Sequence, residues 1–144
     1  MQAVSCAIRR DVDVYLAISH GREVSQYVGL GEIDRTKIEI AILELTRNIL
    51  VHAGSGYLII APITDDNRRG VAIEARDQGP GIPDIHLAMR DGYSTSHTLG
   101  AGLPGVQRLM DEFSIESTVG VGTVVRAVKW FKPRPGYSTY GRRV

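Results

Sequence analysis

The sequence predicts a two-layer α/β sandwich with helices on one face of a mixed, mostly antiparallel sheet. Segments with helical spacing alternate with pairs of β-branched runs, turn residues join each pair, and a glycine-rich stretch separates the two pairs. The 144 residues suffice for one core, and 43% hydrophobic with 23% charged residues is a globular composition.

Ala3–Arg9 is expected to be a strand. Val12, Leu16, Val24, Tyr27 and Val28 then recur near helical spacing up to the Gly29-Leu30-Gly31 break, which predicts a first helix. A second helix should begin at Asp34, a good N-cap, with Ile33 and Ile38 placed as a hydrophobic staple. Ile38, Ala41, Ile42, Leu45 and Ile49 give it an apolar face, and Gly54 can end it. Tyr57–Thr64 and Val71–Ala75 read as a hairpin around Asp-Asp-Asn-Arg-Arg-Gly. Between Gly79 and Gly105, six glycines and the Ser94–Thr98 hydroxyl run indicate a loop region rather than a packed element. Val106–Phe113 resumes a helical pattern, and Ser114–Ser117 with Thr123–Trp130 predict a second strand pair around Thr118–Gly122. Residues 1–131 are thus expected to form the folded domain, with 132–144 a basic flexible tail too poor in apolar side chains to dock.

The net charge is +1, but Lys132, Arg134, Arg142 and Arg143 lie in the tail with no acid, leaving residues 1–131 at −3. This balance predicts no nucleic-acid partner. No apolar run approaches the roughly 20 residues that span a bilayer, and the N-terminus has no signal-peptide pattern. A cytoplasmic protein without a membrane partner is expected. The lone Cys6, among Val4, Ala7 and Ile8, reads as a buried apolar filler, and no Cys or His cluster suggests zinc.

Three stretches carry chemistry. Glu44, Asn48 and His52 are four residues apart and share one side of the second helix. Such a stripe is usually a solvated edge, yet a potential base one turn from a carboxamide that can ligate Mg²⁺ suits a phosphate chain. Asp77-Gln-Gly79-Pro-Gly81-Ile82-Pro83 follows a strand. Asp and Gly there most often mark only a turn, but paired glycines let backbone approach a flat ligand, and the Asp can accept from an exocyclic amine such as that of adenine. Gly100-Ala101-Gly102-Leu103-Pro104-Gly105 runs into a helix, whose N-terminus offers free N–H groups to phosphate. It is neither a Walker loop nor a dinucleotide fingerprint.

In this order, with Gly122-Thr123 closing the last hairpin, the motifs resemble the N box, G1 box, G2 box and terminal Gly-Thr of the ATPase/kinase superfamily that includes gyrase, Hsp90, histidine kinases and MutL. The resemblance covers about residues 5–131 and implies the Bergerat-type ATP-binding fold. Glu44-Leu-Thr-Arg-Asn48, Asp77-Gln-Gly-Pro-Gly-Ile-Pro-Asp84, Asp91-Gly-Tyr-Ser-Thr-Ser and Gly100-Ala-Gly-Leu-Pro-Gly-Val-Gln-Arg-Leu-Met-Asp-Glu-Phe113 look specifically like the RsbT-type switch kinases, relatives of the anti-sigma-factor kinases. The extension beyond Phe131 departs from that pattern.

By this likeness the cofactors are ATP and Mg²⁺. Asn48 would coordinate the metal, and Glu44 would take the proton of the acceptor hydroxyl. Asp77 would receive the adenine amino group, supported by Thr123 directly or through water. Gly79, Gly81 and Ile82 would admit the base; Gly100, Ala101, Gly102 and Leu103 would line the phosphates; Asp91–Leu99 would be the lid. With no Lys or Arg in that lid, phosphate charge falls to Mg²⁺, the helix dipole and Arg90 or Arg108. Arg47 reads as solvated and His52 as a capping or core histidine.

The implied function is a Mg-ATP-dependent serine/threonine protein kinase of a bacterial partner-switching, stressosome-like pathway. It would phosphorylate a STAS-domain antagonist or scaffold protein and, on release, activate a downstream enzyme such as a PP2C phosphatase or a nucleotide cyclase. The alternatives are a nucleotide-dependent sequestering module and a histidine-kinase-like catalytic module. Glu44 favours the hydroxyl kinase, because a pure binder needs no base and neutral imidazole attacks through a lone pair.

Overall fold

The computed structural model describes residues 1–90, 100 and 102–133. Their elements are β1 (Val4–Ile8), α1 (Asp11–Val28), α2 (Glu32–Asn48) continuing into a π-helical turn (Ile49–Ala53), β2 (Gly56–Asp65), β3 (Arg68–Asp77), α3 (Ile85–Ala88), α4 (Gly102–Leu109), β4 (Glu112–Thr118) and β5 (Gly122–Trp130). The five strands form one sheet in the order β1-β2-β3-β5-β4. Every ladder is antiparallel, so the parallel pairing that a mixed sheet would contain is not among them.

Alternation along the strands sends Ile8, Leu58, Ile60, Ile73, Val125 and Ala127 to the face covered by α1, α2 and α4. Ile38, Ile42 and Leu45 of α2 meet them from above, and each fully buried side chain of this size contributes about 1.5–3 kcal/mol. The opposite face carries only a small cluster of Ala72, Val128 and Trp130 with Ile63, and Arg68 lies 4.0 Å above the Trp130 ring. The helices therefore occupy one face, as expected.

The helix ends follow local chemistry where side chains are free to supply it. Asp13 Oδ2 accepts from the N–H groups of Arg9 and Arg10, both at 2.9 Å, closing the start of α1 and holding that carboxyl below its usual range. Gly29, at φ 89°, ends α1, its N–H donating to Ser25 and Gln26 carbonyls. At α2 the expectation fails: the N-cap is Gly31, Asp34 lies within the first turn, and its carboxylate is 3.8 Å from Lys129 Nζ. Ile33 is 74% exposed, so it forms no staple. Gly54 does terminate the helical run, donating to the Ile49 carbonyl five residues back.

The β2–β3 hairpin is longer than predicted. Its ladder extends to Asp65↔Arg68, leaving Asp66 and Asn67 as the turn, with Asp66 at φ 52°, a left-handed conformation that Asp tolerates. The supposed loop from Gly79 to Gly105 contains α3, capped by Asp84 accepting from Leu87 N–H at 3.0 Å, and the first turn of α4. Thus α4 starts four residues before Val106, and Glu112 and Phe113 belong to β4. Pro104 is tolerated in a first turn because its missing N–H is among the donors that have no partner within the helix. A Cβ on Gly105 would occupy the position of the Gly100 carbonyl.

The far end of α4 is anchored by Lys129, which is 4% exposed; its ammonium donates to the Leu109 carbonyl at 2.8 Å and lies 3.4 Å from Asp111. Asp111 also accepts from Trp130 N–H and from Lys132. Burial raises its pKa, but Lys132, the Trp130 N–H and the charge of Lys129 together outweigh it and hold the carboxyl below its ordinary value. Cys6 is buried as expected, and burial, with the Asp13 charge, pushes its thiol up.

Candidate functional site

Sheet register aligns the polar end of the site. Ser117 on β4 lies opposite Thr123 on β5, Thr123 opposite Asp77 on β3, and Asp77 opposite Gly56 on β2. Residues paired in this way share a face. The row ends a cavity of about 590 Å³ whose apolar floor is Ala75 and Val125 of the sheet and whose wall is Leu45 and Ile49 of the α2 segment. Asn48 and His52 add polar groups to that wall; Gly102, Leu103 and Pro104 close the far side.

Asp77 Oδ1 accepts from Gly79 N–H at 2.9 Å, folding the chain back immediately after β3. Gly79 then packs on Ala53, where a Cβ would come within 2.6 Å of the Ala53 Cβ. Gly81 has φ 81°, and a Cβ there would stand 2.8 Å from the Thr118 carbonyl carbon. Both positions demand glycine: the first for close approach, the second for its backbone as well.

Glu44 is fully buried and does not line the cavity. Gly102 N–H donates to its Oε1 at 3.2 Å, and Gly100 is packed against the same carboxylate. Asn48, one turn on, is half-buried on the cavity wall. An apolar slot ending in an acceptor carboxylate, with a helix N-terminus across from a carboxamide, can take a flat amine-bearing base at one end and a phosphate chain at the other.

Comparison with known proteins bears directly on this geometry. Residues 10–129 match the family model described as the histidine kinase-like ATPase domain. The chain is 49% identical over 133 residues to serine/threonine-protein kinase RsbT of Bacillus subtilis (strain 168), which spans 92% of this chain and 100% of that protein. The chain belongs to the RsbT-type serine/threonine-protein kinases. An anti-sigma F factor of Caldanaerobacter subterraneus subsp. tengcongensis is 35% identical over 99 residues, 65% of this chain and 68% of that one. Among solved structures, one of the RsbU and RsbW domains of a Mycobacterium tuberculosis protein superposes at a TM-score of 0.63 with 15% identity, covering all of this chain and 35% of that one. The mycobacterial sensor histidine kinase MprB gives 0.54 with 18% identity over 92% of this chain and 99% of its own. These two likenesses establish the fold.

Of the residues expected in the site of this RsbT-type kinase, Asn48, Asp77, Gly81, Ile82, Gly102, Leu103 and Thr123 line one cavity. Gly79, Gly100 and Glu44 stand directly behind it. Ala101 and the Asp91–Leu99 lid lie outside the described residues. His52 is no core histidine: it lies in the π-helical turn and is exposed on the cavity wall. Arg47 is half-buried and outside that wall. Sequence reading missed the floor residues Ala75 and Val125, which strand alternation from Asp77 and Thr123 could have identified, and Ser117, for which no local signal exists. Among the described residues, no helix is long and apolar enough to cross a membrane.

Proposed function

We propose that this kinase transfers the γ-phosphoryl group of ATP to a serine or threonine hydroxyl of a STAS-domain regulator in a partner-switching pathway. Residues 1–131 act as the catalytic unit and the basic tail as an appendage. After transfer the kinase leaves the regulator and activates a downstream enzyme, such as a PP2C phosphatase or a nucleotide cyclase. The observation that carries this reading is Glu44 buried against Gly102 N–H, one helical turn from Asn48.

The adenine ring fits between the Ala75–Val125 floor and the Leu45–Ile49 wall, with its amino group donating to Asp77. Leu103, with Pro104 beside it, turns the triphosphate toward the first turn of α4, where the helix dipole favours negative charge. Asn48 suits Mg²⁺, since a carboxamide oxygen is a hard neutral donor and this ion keeps water and substrate phosphate as its other ligands. Bound there, the ion would neutralise phosphate charge.

Gly102 N–H is one of the donors that a phosphate oxygen would claim. A bound triphosphate therefore competes with Glu44 for it. The acceptor hydroxyl gives its proton to Glu44 as its oxygen bonds to the γ-phosphorus; the bond to the β–γ bridging oxygen breaks and ADP departs.

Incubating the protein with γ-labelled ATP and lysate of its own source, then identifying the labelled and co-purifying proteins, tests this. The expected acceptor is a STAS-domain protein whose label survives acid, as a phosphoserine or phosphothreonine ester does. An acid-labile, alkali-stable label would instead indicate phosphohistidine and refute the hydroxyl-kinase assignment.

A further inference from the structure

Ser117 lies outside the cavity, half-buried on the edge strand β4, yet its hydroxyl joins three parts of the site. Ile82 N–H, from the loop that follows Asp77, donates to Ser117 Oγ at 2.7 Å. The same oxygen is 2.7 Å from Thr123 Oγ1 and 3.3 Å from the Gly122 carbonyl. We propose that Ser117 is a positioning residue that fixes the proton of Thr123 and thereby selects adenine over 6-oxopurines at the end of the cavity. The proposal rests on the reading that a purine edge meets Asp77 and Thr123.

A serine hydroxyl has one proton and two acceptor sites. Ile82 takes one acceptor site, leaving two arrangements. Ser117 can donate to Thr123 across the short 2.7 Å contact, or it can accept from Thr123 and send its own proton to Gly122 across 3.3 Å. The second route relies on a hydrogen bond longer than the usual O–H···O range of about 2.5–3.0 Å. Accepting the Ile82 N–H also polarises Ser117 Oγ into a better donor, and hydrogen bonds in a chain reinforce one another. Ser117 therefore donates to Thr123, which leaves the Thr123 proton available to a group bound in the cavity that Thr123 lines.

The site then presents an acceptor-only carboxylate at Asp77 beside a donor hydroxyl at Thr123, side by side through the β3–β5 register. Adenine offers the complement, an amino donor at C6 next to the N1 acceptor. Hypoxanthine and guanine offer the reverse, a C6 carbonyl next to an N1–H. An isolated threonine hydroxyl could rotate to accept from N1–H. Held by Ser117, it keeps one acceptor site, but accepting from N1–H there turns its own proton away from the purine and costs that proton the N1 acceptor that adenine provides.

The test measures Mg-ATP and Mg-ITP affinity by calorimetry for the wild type, Ser117→Ala and Ser117→Thr, with Asp77→Asn as the control for the site. Ser117→Ala should weaken ATP about 5- to 10-fold while ITP changes little, so the ATP/ITP ratio narrows by that factor. Ser117→Thr, which retains the hydroxyl, should restore the ratio and guards against misfolding of the alanine variant. Equal losses for both nucleotides would mean that Ser117 only anchors the loop, and an unchanged ratio would equally overturn the proposal. If instead Asp77→Asn leaves ATP binding unaltered, the purine site itself has been misplaced and the proposal falls with it.

Discussion

Replacing Asp77 by Asn exchanges one acceptor oxygen for an amide donor at nearly constant volume. The structure dictates how the new side chain must sit, because Gly79 N–H donates to Oδ1 at 2.9 Å and an asparagine keeps that bond only by turning its own oxygen there. Its amide nitrogen then occupies the Oδ2 position and meets the adenine amino group donor to donor. The loss is that of one hydrogen bond to a charged group, about 1.5–3 kcal/mol, or roughly 10- to 150-fold in Kd. Because the Gly79 bond persists, the melting temperature should stay within about 3 °C of the wild type. Calorimetric titration with Mg-ATP, alongside a thermal scan, measures both quantities. Unchanged ATP affinity would remove Asp77 from the site, and a collapse in melting temperature would show that its role is to hold the turn.

Glu44→Gln retains an oxygen for Gly102 N–H, so ATP affinity should hold within a few-fold while single-turnover transfer drops by roughly 10²–10⁴; near-normal phosphorylation would end its assignment as the base. Asn48→Ala should weaken Mg-ATP binding more than metal-free ATP binding, and equal losses in the two titrations would make Asn48 merely structural. Because the folded-state pKa of Asp111 is depressed, its ionic stabilisation is present above the unfolded value of about 4 and is lost as pH falls through the folded one. Asp111→Asn should accordingly lower the melting temperature at neutral pH and converge with the wild type in acid, whereas a constant gap across the pH range would contradict the ionic account. Deleting residues 134–144 should leave the melting temperature nearly unchanged, and extending the deletion through Lys132 adds only an exposed ion pair worth about 0–1 kcal/mol; a large loss on the shorter deletion would show that the tail docks.

The parts of the fold legible in the sequence are those that local chemistry decides. β-branched runs mark β2, β3 and β5, and glycine ends α1 and the helical run after α2. The first turn of α4 escaped because Gly102-Leu-Pro-Gly105 has poor helix propensity; it forms where burial against α2 replaces that propensity. The π-helical turn escaped because Ile38, Ala41, Ile42, Leu45 and Ile49 keep ordinary helical spacing up to its first residue, and no residue pattern marks the change that follows. Ser117 reads as one polar residue in an alternating edge strand. Its importance arises from a contact with Ile82, 35 residues away.

The two ends of the cavity thus have different structural origins. At one end, Asp77, Thr123 and Ser117 form one cross-strand row, so their relative positions are set by backbone ladders that also hold the core together. A one-residue slip in either ladder would turn one of these side chains away from the others. At the α4 end, Glu44 and Gly102 are 58 residues apart and meet only because α2 packs on α4. The fold therefore sets the Asp77 end of the cavity by strand register and the Glu44 end by the packing of two helices.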